Sequence, residues 1–255
     1  MIIAVVVFVL GVVCIAFGIK QAREAGEVSS TFVMPVSRVV TGPTAVQGSA
    51  KSSNTSVAPL SGKRCVYWHV KLSELQGRSQ REVADEVFPG ADFCFTVEDD
   101  SGGIPVLGAG AQLLVAREDH STQNEADSIS DAGRAWVAAA GRDWHHTKFW
   151  EAILEITEER IEDGALTYVL GTASAPSDLP PERQTPEIGS AGAVIWQGKP
   201  PRDLIISDKD PQQTARSITA GGVIGFGTAF LFGIGLLLAI GGAWIFWAWA
   251  SLPRH

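Results

Sequence analysis

From Ile218 to Leu252 the chain carries no charged side chain, and no other feature narrows its fold as much. About 20 helical residues cross a hydrocarbon layer roughly 30 Å thick, so this run spans a bilayer with residues to spare. Trp244, Trp247 and Trp249 crowd its far end, where indole rings favour the headgroup region. The hydrocarbon part is then expected at about Gly222 to Ala243, with these tryptophans as interface anchors. Gly221 and Gly225 stand in GxxxG spacing, and Ala229 with Gly233 continues the small face. Such a stripe lets another helix approach closely; it also arises where glycine is simply common in membrane helices. The sequence thus predicts a transmembrane helix over 218–250 and a short tail over 251–255.

A second uncharged apolar run, Ile2 to Ile19, opens the sequence. No basic stretch precedes it, and it exceeds the roughly 7–15 apolar residues of a cleavable signal. Val12 and Val13 stand where a lipidated Cys14 would need small residues. The run therefore reads as an uncleaved transmembrane helix over 2–19. That makes a two-pass membrane protein, with a connector over 20–38 and a folded domain over 39–217. Lys20, Arg23, Lys199, Arg202, Lys209 and Arg216 flank the runs on the domain side, against Arg254 and His255 on the other. The positive-inside rule then puts the domain in the cytoplasm.

Arg254 is one of 20 basic residues; the other 19 share the middle region with all 28 acidic ones, a net charge of −9 there. Such a domain repels phosphate backbones, so nucleic acid is not an expected partner. Three cysteines, one of them Cys14 inside an apolar run, make neither a disulfide framework nor a paired-cysteine zinc module. Whether Cys65 and Cys94 pair depends on strand geometry.

Between the runs, short β-rich stretches alternate with turn residues, which predicts a mainly β domain, barrel-like or sandwich-like. Strands are expected at Pro35–Val40, Thr44–Ala50, Cys65–Leu72, Ala91–Glu98, Ile104–Leu107, Leu113–Ala116, Ala165–Leu170, Ala193–Trp196 and Leu204–Ser207. A short helix is expected at Arg134–Ala140, and Phe149–Thr157 fits helix or strand. Leu75–Gly90 reads as a charged excursion, Arg117–Asp131 as a mobile polar loop and Glu158–Gly164 as a charged turn. Strict alternation in Cys65–Leu72 puts Val66, Trp68, Val70 and Leu72 on one face and Cys65, Tyr67, His69 and Lys71 on the other.

Few residues suggest chemistry. His145 and His146 beside Asp143 are the best metal candidates, yet adjacent strand residues point to opposite faces, which is poor ligand geometry outside a loop. His69 with Cys65 is a weaker pair, more often ordinary sheet residues. Glu98-Asp99-Asp100-Ser101-Gly102-Gly103 offers oxygens but lacks the alternating ligands and closing Glu of a calcium loop. Gly108-Ala109-Gly110 starts a dinucleotide motif, but Leu113 stands where the third glycine belongs and no amphipathic helix follows. No G-x-S-x-G elbow occurs. The expectation is no cofactor and no catalytic residue.

Several stretches occur together in a familiar order. They are Val46-Gln47-Gly48-Ser49-Ala50, then Ala58-Pro59-Leu60-Ser61-Gly62-Lys63-Arg64-Cys65-Val66-Tyr67-Trp68, then Phe93 to Gly102 with its aspartates. Glu158-Glu159-Arg160-Ile161-Glu162-Asp163-Gly164 leads to Tyr168-Val169-Leu170-Gly171, and Leu204-Ile205-Ile206-Ser207 precedes the second run. This order resembles the GIDE or "beside a membrane" (BAM) family, over about Val39 to Ser217 and both helices. The resemblance implies a β-rich domain held between two membrane helices, serving partner binding or membrane organisation rather than chemistry of its own.

That family includes the membrane part of the mitochondrial RING-type E3 ubiquitin ligase, whose catalysis belongs to a RING after the second helix. No such module precedes His255, so ligase activity is not carried over. The prokaryotic members without a RING are the nearer guide, with a cell membrane as the expected location. In the mitochondrial relative the domain faces the intermembrane space, against the charge count, so its side stays open. The expected partners are the lipid bilayer and another membrane protein, or a second copy through the Gly-rich helix. The alternative function is a membrane component of a RING-type ubiquitin-transferase-like system or a membrane-associated hydrolase. A small barrel reading single-stranded nucleic acid is opposed by the charge.

Overall fold

The computed structural model describes residues 25–77, 79–90, 92–123, 129–144, 153–184, 186–189, 191–198 and 204–218. The predicted spans over 2–19 and 218–250 lie outside these residues, Ile218 excepted, as do Gly221, Gly225, Ala229, Gly233, Trp244, Trp247 and Trp249. Among the described residues no helix is long and apolar enough to cross a membrane. Residues 25–30 and 211–218 are helical and belong to one unit of the chain. Thr31–Asp210 forms the other unit, so the folded domain starts before residue 39 and ends before residue 217.

Thr31–Asp210 is mainly β. Its strands are β1 (Gly42–Lys51), β2 (Ser56–Val57), β3 (Arg64–Gln76), β4 (Ser79–Phe88), β5 (Cys94–Asp99), β6 (Gly102–Leu107), β7 (Gln112–Leu114), β8 (Ala116–Ser121), β9 (Ile153–Glu162), β10 (Leu166–Ser174), β11 (Val194–Trp196) and β12 (Ile205–Ser207). β1, β5, β6, β11 and β10 pair in that order, and β10 pairs back to β1, closing a five-stranded ring. Every neighbouring pair is antiparallel except β6 with β11. β7 and β12 repeat that parallel pairing further along, with β12 also on β10. So β6–β7 and β11–β12 behave as two interrupted strands running side by side. Counted in chain order the ring reads 1-2-3-5-4, a Greek-key barrel of the OB type.

The inner wall follows from a repeated pattern. β1 carries Val46-x-Gly48-x-Ala50 and β10 carries Val169-x-Gly171-x-Ala173, with Val46 opposite Val169. Period-two alternation sends these residues inward, where the valines and alanines are buried with Phe95, Val97, Ile104, Val106 and Ile195. Five strands leave little room inside, and small residues relieve the crowding. A Cβ on Gly48 would lie 2.3 Å from the Glu98 carbonyl oxygen, and one on Gly171 would lie 2.8 Å from both Ile195 and Leu204.

A second, antiparallel sheet is built from two insertions into the barrel. β2, β3 and β4 leave between β1 and β5; β8 and β9 leave between β6 and β10. β2 and β4 share one edge of β3, and β9 and then β8 lie beyond its other edge. A bulge at Val66 breaks the predicted alternation of β3, since an extra residue reverses the faces that follow. Cys65 thereby joins Trp68, Val70, Leu72, Leu154 and Ile156 in one apolar layer. Val66 and Tyr67 turn into the barrel core, the Tyr67 ring 4.3 Å from that of Phe93. The helix α1 (Asp131–Ala139) closes the apolar layer through Val137. Its N-cap is Ser130, whose Oγ accepts the Gly133 N–H at 3.0 Å. Each large side chain in that layer contributes about 1.5–3 kcal/mol by leaving water.

Four stretches depart from the sequence reading. Leu75–Gly90 contains β4, paired with β3 from Trp68 to Gln76; an edge strand tolerates charge on both sides, which hid its period. The start of Arg117–Asp131 is β8, disguised in the same way. Glu158–Gly164 is no turn up to Glu162, because β9 carries buried charges there. Pro35–Val40 holds a single 3₁₀ turn, Val36–Arg38, rather than a strand. The two ends of the domain meet in one row of the sheet. Val33 bridges Ala45, Ala45 faces Leu170, and Leu170 faces Ile205. Three strand spacings, about 14 Å, separate its entry from its exit.

Candidate functional site

α1 covers one face of the second sheet, and the opposite face is open and polar. Residues alternating with the core positions point there, in register: Asp85, Lys71, Thr157 and Asp119 form one row, and His69, Glu159 and Arg117 the next. The twisted face makes an open groove of about 480 Å³ between Lys71, Ser73, Arg117, Asp119, Glu155 and Thr157. His69 Nε2 lies 2.5 Å from Asp85 Oδ1, and Lys71 pairs with Glu82. Arg117 Nη2 is 2.9 Å from Asp119 Oδ1 and its Nη1 3.6 Å from Glu159. Thr157 Oγ1 donates to Asp119 Oδ1 at 2.7 Å. Burial raises the Asp119 carboxyl, but hydrogen bonds from Arg117 and Thr157 outweigh it and hold the group below the usual carboxylate range. With Glu82, Asp85, Asp119, Glu155 and Glu159 against Lys71 and Arg117, the face is net negative.

This arrangement pairs charges rather than activating a group. Among the described residues, His69 hydrogen-bonds Asp85 and no serine or cysteine. No set of three His, Cys, Asp or Glu among them is placed to hold a metal ion. The face can recognise a polar, preferentially basic surface by hydrogen bonds and charge.

Behind it, on the α1 side, lies an ion cluster that the sequence reading missed. Arg160 is 5% exposed and touches three carboxylates: Glu118 at 2.8 Å, Glu162 at 3.1 Å and Glu158 at 3.3 Å. Glu158 is fully buried and accepts the Leu60 N–H at 2.7 Å and the Ser61 N–H at 3.3 Å. Lys63 closes the cluster on Glu162 at 2.7 Å. The alternating Glu-x-Arg-x-Glu of β9 was the signal for one charged strand face. The same cluster acts on Cys65. Burial, then Glu158 and Glu162, push its thiol up to about 11. Burial, then Glu159 and Asp85, push Tyr67 up to about 12.

Cys65 and His69 do not come together. The Val66 bulge sends Cys65 and His69 to opposite faces of β3. Asp143 is exposed just after α1, while His145 and His146 lie outside the described residues. Cys65 and Cys94 do not pair with each other and pack in separate apolar clusters. The acidic turn is put to structural use. Asp99 Oδ2 accepts the Val36 N–H at 2.8 Å, and its Oδ1 takes the Ser101 N–H at 2.7 Å and hydroxyl at 2.6 Å. Gly108 is a steric requirement, since a Cβ there would lie 2.1 Å from Phe93 Cζ. Comparison with known protein families, with curated proteins and with solved structures finds no match.

Proposed function

We propose that this is a two-pass membrane protein whose β-rich domain, anchored at both ends, serves as a partner-binding or membrane-organising module without chemistry of its own. The observation that carries the reading is the open face of the second sheet: a groove of about 480 Å³ whose charges are fixed in cross-strand pairs and whose back is closed by α1. Its expected occupant is another membrane protein. Double anchoring suits the single sheet row that holds both Val33 and Ile205. The resemblance to the GIDE family is part of this reading and rests on the order of its stretches in the sequence. Two of the stretches that carry it, Ala58–Cys65 and Glu158–Gly164, meet where Glu158 accepts the Leu60 and Ser61 amides.

A protein partner is favoured over single-stranded nucleic acid by the outer wall of the barrel. Strands that read bases offer aromatic platforms beside cations. Here Phe93 and Phe95 point inward, leaving Thr96, Glu98, Gly103 and Pro105 outside. The test is benzoylphenylalanine introduced at Ser73, at Thr157 and, as a control, at exposed Glu182, followed by irradiation of intact membranes. The expected result is one adduct of the same mass from Ser73 and Thr157 and none from Glu182. No adduct, or the same adducts from all three positions, would remove the groove from the proposal. Alkaline carbonate washing the protein off its membranes would remove the anchors.

A further inference from the structure

We infer that residues 32–40 form a wedge that rests in the headgroup region of the bilayer. This rests on the membrane-anchored reading above. Phe32 is 80% exposed and Val40 69%, and they flank the 3₁₀ turn Val36–Arg38. The segment that carries them is held in place. Val33 bridges Ala45, and the Met34 N–H donates to the Ala45 carbonyl at 2.9 Å. The Val36 N–H is fixed on Asp99 at 2.8 Å and the Ser37 N–H on Ser101 Oγ at 3.0 Å. The β5–β6 turn therefore holds the arm down while Phe32 and Val40 face outward. Covering this Phe and this Val would bring the free-energy gain of apolar burial, which a bilayer surface would supply.

Two observations identify that surface as lipid. From Thr31 to Thr41 the only charge is Arg38, in a region whose net charge is −9, and a lone cation between two apolar side chains suits anionic headgroups. The chain also reaches Phe32 only 13 residues after Ile19, where the first apolar run ends. A tether of that length reaches at most about 45 Å even fully extended, so the arm is confined near the end of that run.

The experiment uses the full-length protein, one copy per nanodisc of phosphatidylcholine and phosphatidylglycerol. Phe32→benzoylphenylalanine and Val40→benzoylphenylalanine are compared with the same change at Val57 and Leu166, which are 60% and 59% exposed. After irradiation, lipid adducts are counted by mass spectrometry. The expected yield at positions 32 and 40 is about tenfold or more above that at 57 and 166. Equal yields at all four positions, or none at 32 and 40, overturn the wedge. So does a protein–protein adduct at 32 or 40 in native membranes with no lipid adduct, because it assigns the arm to a partner or a second copy. Carbonate extraction of the same membranes separates the two claims. Protein that stays with the lipid but gives no adduct sinks only the wedge, whereas protein that washes off sinks the anchored reading itself.

Discussion

Replacing Glu158 with alanine measures what holds the 58–63 turn onto the second sheet. The carboxylate is 0% exposed, so water cannot take over its role. Its loss leaves the Leu60 amide, now 2.7 Å from an oxygen, buried without an acceptor, which costs about 1–3 kcal/mol. It also strips one carboxylate from a guanidinium with little access to water, and breaking a buried ion pair from one side costs about 3–5 kcal/mol. These two figures describe overlapping consequences of one deletion and are not summed. Arg160 keeps Glu118 at 2.8 Å and Glu162 at 3.1 Å, which places the expected loss near the lower end, about 3 kcal/mol.

Glu158→Gln keeps an acceptor for Leu60 and removes only the charge, so it is expected to cost about 1–2 kcal/mol. Hydrogen exchange of the peptide spanning 58–64, in the full-length protein in detergent, reads both variants. About 3 kcal/mol corresponds to roughly a hundredfold faster exchange. Glu182→Ala, an exposed carboxylate, serves as the reference. Should Glu158→Ala exchange within a few-fold of the unaltered protein, or should Gln and Ala behave alike, the cluster is not what fixes this turn.

Three further expectations can be checked directly. Asp99 is held below its ordinary value of 3.8, first by the Ser101 hydroxyl and then by backbone amides including Val36. Its hold on the arm is therefore complete above that value and lost as pH falls through the lower folded one. Pepsin digestion at descending pH should cut residues 31–40 only below that point, and Asp99→Asn should expose them at every pH tested. Cys65, with its thiol near 11 and fully buried, should escape iodoacetamide at pH 8 until urea unfolds the protein, whereas partly exposed Cys94 should label in the native state; peptide mapping decides. Gly108→Ala should lower the urea midpoint by the equivalent of about 1–3 kcal/mol, since Phe93 must move, while Gly189→Ala, with nothing within 4 Å of its Cβ, should leave it unchanged.

The barrel strands could be read from the sequence because their patterns are local. Val46-x-Gly48-x-Ala50, Ile104–Leu107 and Leu204–Ser207 alternate cleanly or form short apolar runs, and each is a strand or part of one. Edge strands hid, because β4 and β8 are solvated on one face and along one edge, so charge there follows no period. The Val66 bulge could not be read either. One extra residue in a single strand is set by its pairing with β9, and nothing in Cys65–Leu72 alone departs from strict alternation. Glu158 and Arg160 looked like turn residues because charge usually marks solvent. Their partners on β8 and in the 58–63 turn, distant in sequence, complete the pairing that makes burial tolerable. The groove is legible only after register is known, since its rows combine residues from four strands.

The second sheet is not a removable accessory of the barrel. β2, β3 and β4 come from the first insertion, β8 and β9 from the second, and their main seam is β3 against β9. Deleting the first insertion would leave Leu154 and Ile156 without Trp68, Val70 and Leu72, exposing apolar area that α1 alone cannot cover. Deleting the second would uncover the same layer from its other side. β9 also passes through a short turn straight into β10, the strand that closes the ring onto β1. Shortening the connections between β1 and β5 or between β6 and β10 should therefore unfold barrel and sheet together. A variant lacking 52–93 that kept a cooperative urea transition and a closed barrel would show the two sheets to be independent, and the groove would then be an appendage rather than a consequence of the fold.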